Sequence, residues 1–348
     1  MAFRYAMDSE YAIRRILLQI PEEAEALRAF LASFSLRLEP DIQVAFGIFD
    51  HTDRLCGCGC AAGFILKCFA VSEELRGNNA LGSLTSALLT DCFSRGIYHV
   101  MVYTRRHNAS FFHACGFHTV AATASLVLLE NIPNGPERFT RQFFHASDQD
   151  LFVGAVVVNC NPFTLGHRAL IEYAASNCDL LHVFVVEENR SAFCAADRFH
   201  LVAQGTRDLS NVRVHLSSRY IISDATFPRY FLKECDDAAA MQAELDISLF
   251  AQRIAPALHI QIRFAGEEPT DPTTACYNRF MRSILPRSGI RFCEIPRFCI
   301  GGQAISASVV RKLLAHAETW PLAMQYLPPV TVEYLNSKRS PGEIMNTD

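Results

Sequence analysis

The sequence predicts an α/β protein of two domains, with an α+β domain first and a doubly wound parallel sheet second. Its 348 residues are enough for two separate cores. In the second half, apolar strand-like runs alternate with helical patterns of roughly 10–15 residues, which is typical of a parallel sheet covered on both faces. Residues 131–138, NIPNGPER, interrupt the pattern with prolines, a glycine and asparagines. We therefore place the boundary near residue 145 and expect domains over 1–145 and 146–348.

The first half combines short strands with a few helices. Pro21 and Glu22 lie near the start of its first helix, where proline and acidic residues are favoured. A loop rich in glycine and asparagine leads into the second helix, and Gly116 ends the third. Hydrophobic spacing predicts helices over 20–36, 72–96 (with its leading loop) and 108–117, and strands over 42–50, 61–71, 98–104 and 124–130.

Three cysteines alternate with glycine in CGCGC, at Cys56, Cys58 and Cys60. On a strand, alternate residues share one face, so the three sulfurs are expected to line up. Zinc sites usually combine C-x2-C pairs with a second pair or with histidines, and no such partner is visible nearby. We expect a glycine-rich strand or hairpin here, with a metal site as the alternative.

The second half repeats a strand–helix unit five times, which predicts a Rossmann-like sheet. In such sheets, ligands bind beyond the carboxyl ends of the strands, where the strand order reverses. The predicted strands cover 151–158, 180–186, 212–217, 260–266 and 291–297, and the predicted helices cover 164–177, 195–209, 246–256, 274–286 and 306–317.

The turn after the first of these strands, NCNPFTLGHRAL, carries more polar groups than a strand-to-helix connection requires. The N-terminus of a helix leaves backbone N–H groups unpaired and attracts anions, so it suits phosphate. Thr164 and His167 are three apart on the first turn, and Gly166 lets a ligand approach the backbone closely. Asn159 and Asn161 are candidates to fix the loop or to meet a nucleotide. Taken alone, the turn favours a simple helix cap with a solvated histidine over a ligand site.

A second helix start, ISASVVRKLL in the last strand–helix unit, has the same chemistry. Ser306 or Ser308 can cap the helix, and both hydroxyls are expected where a phosphate would bind. Arg311 offers a planar guanidinium that suits phosphate oxygens. Together the two helix starts predict a site for a polyphosphate.

These two stretches resemble the signatures of the nucleotidyltransferase superfamily, [HT]-x-G-H and I-S-[ST]-[ST]-x-x-R. Here they are TLGH (Thr164–His167) and ISASVVR (Ile305–Arg311), with Ala307 replacing one hydroxyl residue. The resemblance implies that ATP is bound with Mg²⁺, that its α-phosphate is attacked and that pyrophosphate leaves. The resemblance also implies that Thr164, His167 and Arg311 are catalytic residues that contact the phosphates. Ser306 and Ser308, together with Arg311, are expected on the side of the β- and γ-phosphates.

Further stretches of the second half, among them YIISDATFPRYFLKE, RFAGEEPTDPTTACYNRFM and EIPRF, resemble the citrate lyase ligase family over most of residues 150–330. Arg229 and Lys233, four apart, suggest a wall for the acyl group or its acceptor; an ordinary amphipathic helix is the alternative. Glu267 and Glu268 could hold a ribose hydroxyl or a metal, or form a solvated turn.

The first half resembles N-acetyltransferases of the GNAT type, through VSEELRGNNALGSLTSALL and NASFFHACGF. In those proteins an R-x-x-G-x-G/A loop binds the pyrophosphate of coenzyme A. Arg76 and Gly77 are the candidates here, although Asn79 stands where the first glycine should be. The aromatic pair Phe111–Phe112 lacks the tyrosine hydroxyl that serves as an acid in many members. A domain that holds a pantetheine-like arm and a domain without a ligand both remain open.

The composition narrows the range of partners. The formal net charge is −4, which gives no support to a nucleic-acid or anionic-membrane partner. The start of the chain does not have the pattern of a signal peptide, and no apolar run approaches the roughly 18 residues of a membrane span. The thirteen cysteines are scattered through apolar segments, as is usual in a reducing compartment. We therefore expect a cytoplasmic protein.

The ligase resemblance implies a two-step reaction. Acetate attacks the α-phosphate of ATP to give acetyl-adenylate, and a thiol then takes the acetyl group. The thiol belongs to the phosphoribosyl-dephospho-coenzyme A group of the citrate lyase acyl-carrier subunit. Two alternatives stay open: an adenylyltransferase of the phosphopantetheine type joined to a degenerate acetyltransferase, and a docking module for a carrier protein.

Overall fold

A computed structural model describes residues 5–7, 10–75, 79–187, 192–223, 226, 237–268, 271–301 and 303–338. The chain divides into two compact units, Met1–Gly135 and Pro136–Asp348. The predicted domains, 1–145 and 146–348, stay a prediction. Within the described residues, no helix has the length and apolar character needed to cross a membrane.

The first unit is built on one eight-stranded sheet in the order β1-β2-β3-β4-β5-β6-β8-β7. Neighbouring strands are antiparallel except β5 and β6, which run parallel and pair at only two positions. Helix α1 buries Leu27 and Leu31 in one core cluster, and α2 buries Leu84 and Leu88 in another. The predicted α+β architecture of this domain is confirmed. The strands are β1 (Tyr5–Met7), β2 (Tyr11–Ile16), β3 (Val44–Asp50), β4 (Leu55–Ala62), β5 (Ile65–Val71), β6 (Met101–Arg105), β7 (His118–Ala122) and β8 (Leu126–Glu130), and the helices are α1 (Pro21–Ser33), α2 (Ala80–Ser94) and α3 (Ala109–Ala114).

Several predicted boundaries differ from the structure, and two of the differences involve a glycine or a proline. The strand predicted over 61–71 is divided by a turn at Gly63, whose positive φ of 55° favours glycine. The loop predicted over 131–138 contains the first turn of helix α4 (Gly135–Arg141). Its proline, Pro136, lies at the start of that helix, where a missing N–H costs nothing.

The expectation that the three cysteines of CGCGC line up on one face is wrong for Cys56. Strand β4 has a bulge against β3 at this residue. The extra residue of a bulge interrupts the alternation of side chains between the two faces. Cys56 therefore lies in the core with α2, whereas Cys58 and Cys60 lie in the core with α1. All three thiols are buried, and the predicted glycine-rich hairpin is confirmed.

The second unit has a five-stranded parallel sheet in the order β11-β10-β9-β12-β13. The strands are β9 (Val153–Val158), β10 (Leu180–Val185), β11 (Val212–Leu216), β12 (Ile260–Gly266) and β13 (Arg291–Ile295), followed by a small hairpin of β14 (Cys299–Ile300) and β15 (Gln303–Ala304). Strand β9 is central and pairs with both β10 and β12. The chain runs from β9 to β10 on one side and from β12 to β13 on the other, so the strand order reverses between β9 and β12. The predicted doubly wound sheet is confirmed, and the polar turn follows its central strand.

Helices cover the second sheet and supply its core. Apolar side chains of β9, β10 and β12 pack with residues of two helices, among them Ile171 and Leu201. The helices of this unit are α5 (Leu165–Ala175), α6 (Ala195–Gly205), α7 (Asp237–Leu249), α8 (Pro272–Ile284), α9 (Ala307–Leu314), α10 (Trp320–Met324) and α11 (Pro329–Lys338). A π-helical turn, Phe250–Ile254, continues α7.

The start of α5 is held against the end of α6. Arg168 pairs with Asp208, with 2.6 Å between Nη2 and Oδ2, and also donates to the carbonyl of Gly205. Phe163, directly before the helix cap, is fully buried. A Cβ added at Gly205 would clash with Cε1 of Phe163. The missing side chain at Gly205 therefore lets Phe163 anchor the turn that leads into α5.

We expect Gly205→Ala to destabilise the protein by about 1–3 kcal/mol, because the buried ring of Phe163 has to move. Chemical denaturation of the full chain measures the loss. Gly266→Ala is the control, since no atom lies within 4 Å of a Cβ added there. Equal unfolding free energies for the two variants would show that Phe163 is not held by this contact.

Candidate active site

A capping box forms the start of α5. Thr164 is the N-cap residue, and its Oγ1 accepts from the backbone N–H of His167 at 3.4 Å. In return, Nδ1 of His167 accepts from the backbone N–H of Thr164 at 3.1 Å. Thr164 is 1 % exposed, and its hydroxyl lies 2.9 Å from the same ring nitrogen. The two signature residues thus fix each other, and Thr164 orients the imidazole.

His167 is a neutral hydrogen-bond donor. Burial and, secondarily, the nearby Arg297 guanidinium lower its pKa from 6.5 to about 4. Because Nδ1 accepts the Thr164 N–H, the proton of the neutral ring is on Nε2. Nε2 makes no hydrogen bond to any described residue. The geometry therefore favours a neutral hydrogen-bond donor over a charged imidazolium.

A buried arginine holds the loop after β9. Arg198 of α6 is fully buried and donates through Nη1 to both the carbonyl and the side-chain oxygen of Asn159, each at 2.9 Å. It also donates to the carbonyls of Val186, after β10, and Phe193. Asn159 is thereby fixed in the loop. Arg198 was not singled out from the sequence. The signal that could have found it is its position on the buried face of α6, which it shares with Ala195, Leu201 and Val202.

Arg311 joins the two helix starts. Its Nη1 donates to the carbonyl of Asn161, in the first turn, and its Nη2 lies 3.2 Å from Oγ of Ser308. The side chain of Asn161 accepts from the backbone N–H of Phe193 at 3.2 Å. Ser306 is the N-cap residue of α9, but its hydroxyl makes no capping hydrogen bond. The hydroxyl of Ser306 is therefore available to a ligand at this helix start.

Gly166 faces the second signature directly. A Cβ added there would lie 3.4 Å from Cβ of Ile305, an ordinary van der Waals distance. Ile305 is 7 % exposed and directly precedes the N-cap of α9. The two signatures are therefore in contact through Gly166 and Ile305, as well as through Arg311.

The helix starts open onto one cavity of about 970 Å³. Its other wall is formed after β12 and β13, by Glu267, Glu268 and Arg297 among others. Ten of the residues singled out from the sequence line it: Asn159, Asn161, Thr164, Gly166, His167, Glu267, Glu268, Ser306, Ser308 and Arg311. Residues of the first, fourth and fifth strand–helix units thus meet at the carboxyl edge of the sheet.

Four other sequence candidates, Arg76, Gly77, Arg229 and Lys233, lie outside the described residues. Arg297, which lines the cavity, was not singled out from the sequence. The Arg-Phe pair of EIPRF follows a strand on the ligand side of the sheet, and that position is the signal that could have found it.

The acidic groups of the cavity have different surroundings. Glu268 forms an ion pair with Arg297 and accepts from the backbone N–H of Asp271 at 3.0 Å. Asp271 caps α8 by accepting from Thr274 N–H at 3.0 Å. The exposed carboxylate of Glu267 makes no hydrogen bond or ion pair with the described part of the chain. Among those residues no cluster of three or more His, Cys, Asp or Glu could hold a metal by itself.

Comparison with known proteins identifies the family. The family described as citrate lyase ligase C-terminal domain matches residues 153–335. Over 324 residues the chain is 40% identical to the citrate pro-3S-lyase ligase of Klebsiella pneumoniae, which covers 92% of this chain and 94% of that protein.

Solved structures give likenesses of fold at low identity. An acetyltransferase of the GNAT family from Staphylococcus aureus has a TM-score of 0.29 and 14% identity, over 34% of this chain and 98% of that chain. Thermotoga maritima TmcAL, bound with alpha-thio ATP, has a TM-score of 0.36 and 17% identity, over 54% of this chain and 56% of that chain. The sequence relationship to the Klebsiella ligase, in contrast, extends over nearly the whole of both chains. This protein therefore belongs to the citrate lyase ligase family, whose curated members are enzymes of the ligase class.

Proposed function

We propose that this enzyme uses ATP to activate acetate and then acetylates citrate lyase. An oxygen of acetate attacks the α-phosphorus of ATP, the bond to pyrophosphate breaks, and acetyl-adenylate forms. The observation that carries the proposal is the meeting of two helix N-termini at one cavity, with His167 on one and Arg311 on the other. Two such termini suit a chain of phosphates better than a single anion.

The polar residues of the two helix starts have proposed roles in this step. His167 donates through Nε2 to a phosphoryl oxygen, and Thr164 holds the ring for that purpose. Ser306, Ser308 and Arg311 bind the β- and γ-phosphates, most strongly in the transition state, where charge moves towards the leaving pyrophosphate. Asn159 and Asn161 keep the loop in shape, and Gly166 lets the phosphates reach the backbone.

Mg²⁺ fits this cavity as a companion of the nucleotide. The ion is usually bound by substrate phosphates, waters and one or two carboxylates, so it needs no cluster of protein ligands. Glu267 is the residue that would hold it, because its carboxylate is exposed at the cavity wall and is not engaged by described residues. The ion would supply charge neutralisation on the phosphates.

The second step transfers the acetyl group to a thiol. The sulfur attacks the acetyl carbonyl, the bond to AMP breaks, and the thiol proton is released. We assign this thiol to the phosphoribosyl-dephospho-coenzyme A group of the citrate lyase acyl-carrier subunit, because the relatives are named for citrate lyase.

The described cysteines are all free thiols, which supports a reducing, cytoplasmic compartment.

Acetate-dependent exchange of labelled pyrophosphate into ATP tests the first step, and His167→Asn is the sharpest variant for it. Asparagine keeps an acceptor near the position of Nδ1, so the capping box survives, but it cannot reach the cavity as Nε2 does. We expect exchange to fall about 100-fold with little change in unfolding free energy, as for a lost oxyanion donor. His200→Asn, at an exposed position of α6, is the matched control.

Other outcomes identify the rivals. Exchange that requires a phosphate-bearing acceptor and ignores acetate would point to an adenylyltransferase instead. A chain without exchange under any acceptor would be a docking module. Exchange at the wild-type rate in His167→Asn would remove His167 from the mechanism.

Gly166→Ala tests whether the absence of a side chain at this position serves ATP binding or the stability of the protein. A Cβ at this position meets only ordinary contacts with Ile305, and alanine favours the helix, so the free energy of unfolding stays the same or rises. We expect ATP binding, measured by calorimetry, to weaken about tenfold or more, because the methyl group occupies space that the phosphates need. Unchanged ATP affinity would show that the ligand does not approach the backbone here.

The low pKa of His167 predicts a pH dependence of stability. Between pH 6.5 and about 4 the unfolded chain binds a proton that the folded ring does not, so the unfolding free energy falls as the pH is lowered. The buried pair His182 and His215, with pKa values lowered to about 4 and about 3, adds to this slope. Denaturation curves at pH 7 and pH 4.5 should show a smaller loss for His167→Asn than for wild type. Parallel losses would place the His167 pKa near its ordinary value.

A further inference from the structure

Arg297 lies in the wall of the cavity, two residues after the end of β13. Its Nε donates to the carbonyl of Glu267 at 3.0 Å, and its Nη2 forms an ion pair with Oε2 of Glu268. Glu268 is itself held through the backbone N–H of Asp271, the cap residue of α8. The guanidinium is thus fixed in orientation by two residues that directly follow β12.

Part of this guanidinium remains available for a ligand. The side chain is 21% exposed, and it lines the same cavity as His167 and Arg311. Two of its three nitrogens are engaged, and Nη1 makes no hydrogen bond to any described residue. Planar guanidinium groups bind phosphate and carboxylate oxygens well, and they lose little entropy on binding when they are already held in place.

The electrostatics of the cavity agree with this placement. Arg297 is the charged group that, after burial, lowers the pKa of His167. Its field therefore reaches the ring whose Nε2–H is proposed to meet the phosphates.

We propose that Arg297 binds an anionic oxygen of the reactants through Nη1, and that Glu268 is a positioning residue for it. This inference rests on the proposed function, because it assumes that the cavity holds ATP and acetate. The oxygen belongs either to a phosphate of ATP or to the carboxylate of acetate. Both present the same charged acceptor, and the kinetic constants of the two reactants tell them apart.

The test compares Arg297→Gln, Glu268→Gln and a control, Arg282→Gln, in the exchange reaction. Arg282 also pairs with a glutamate, Glu294, but it is an exposed residue of α8 that does not line the cavity. For Arg297→Gln we expect the rate of acetate-dependent exchange to fall by about tenfold or more, the effect of a lost hydrogen bond to a charged group. In Glu268→Gln the exchange rate should fall by less, and in Arg282→Gln it should match that of wild type.

The constant that changes identifies the ligand. A raised KM for ATP, together with weaker ATP binding in calorimetry, assigns Arg297 to a phosphate. A raised KM for acetate at unchanged ATP affinity assigns it to the carboxylate. A readout apart from activity is the titration of His167 by NMR, whose pKa should rise in Arg297→Gln because a nearby positive charge is gone.

Wild-type values of kcat and both KM constants in Arg297→Gln would overturn the inference, as would losses no larger than those of Arg282→Gln. If wild-type protein itself shows no acetate-dependent exchange, the proposed function fails first. Binding of inorganic pyrophosphate and of acetate then decides the case for Arg297: weaker binding of either anion in Arg297→Gln supports an anion site, and equal binding of both anions rejects it.

Discussion

The hydrogen bond from Arg311 to the carbonyl of Asn161 joins residues 150 positions apart, and the cavity depends on it. Neither helix start is unusual by itself, because a capped helix with a polar first turn is common in α/β proteins. The parallel sheet brings the turn after its central strand close to the start of α9, and Arg311 then fixes the two helix starts against each other. The close contact between Gly166 and Ile305 requires the same arrangement. Pairs of helix N-termini act together on one ligand only if their spacing is fixed in this way.

The charge of the cavity is concentrated in arginines and not in His167. Burial keeps the imidazole neutral, and the capping box settles which nitrogen carries its proton. Burial also lowers the pKa of Arg311, although a guanidinium stays charged. A neutral donor beside fixed cations is suited to phosphoryl transfer, in which stabilising charge matters more than moving a proton. The protein builds this environment mainly with backbone carbonyls, which accept from Arg198, Arg297 and Arg311.

The sequence predicted much of this arrangement because its signals are local. Alternating strands and helices define the parallel sheet, and a cap followed by glycine and histidine defines a helix start. Arg198 escaped notice because its role depends on three carbonyls from two separate loops, which no local pattern brings together. Arg297 was missed for a similar reason, since Glu268 orients it from another strand. The bulge that moves Cys56 to the opposite face is one extra residue, and a period of two cannot reveal it.

The proposed first step is the attack of acetate on the α-phosphorus of ATP at this cavity. Incubation with ATP and acetate labelled with ¹⁸O in both oxygens, in the presence of the thiol acceptor, tests this step. We expect one ¹⁸O atom in the phosphate of AMP, since the carboxylate oxygen that forms the new P–O bond stays with AMP when the thiol takes the acetyl group. Pyrophosphate should carry none. Unlabelled AMP, or label in pyrophosphate, would rule out attack of acetate on the α-phosphorus.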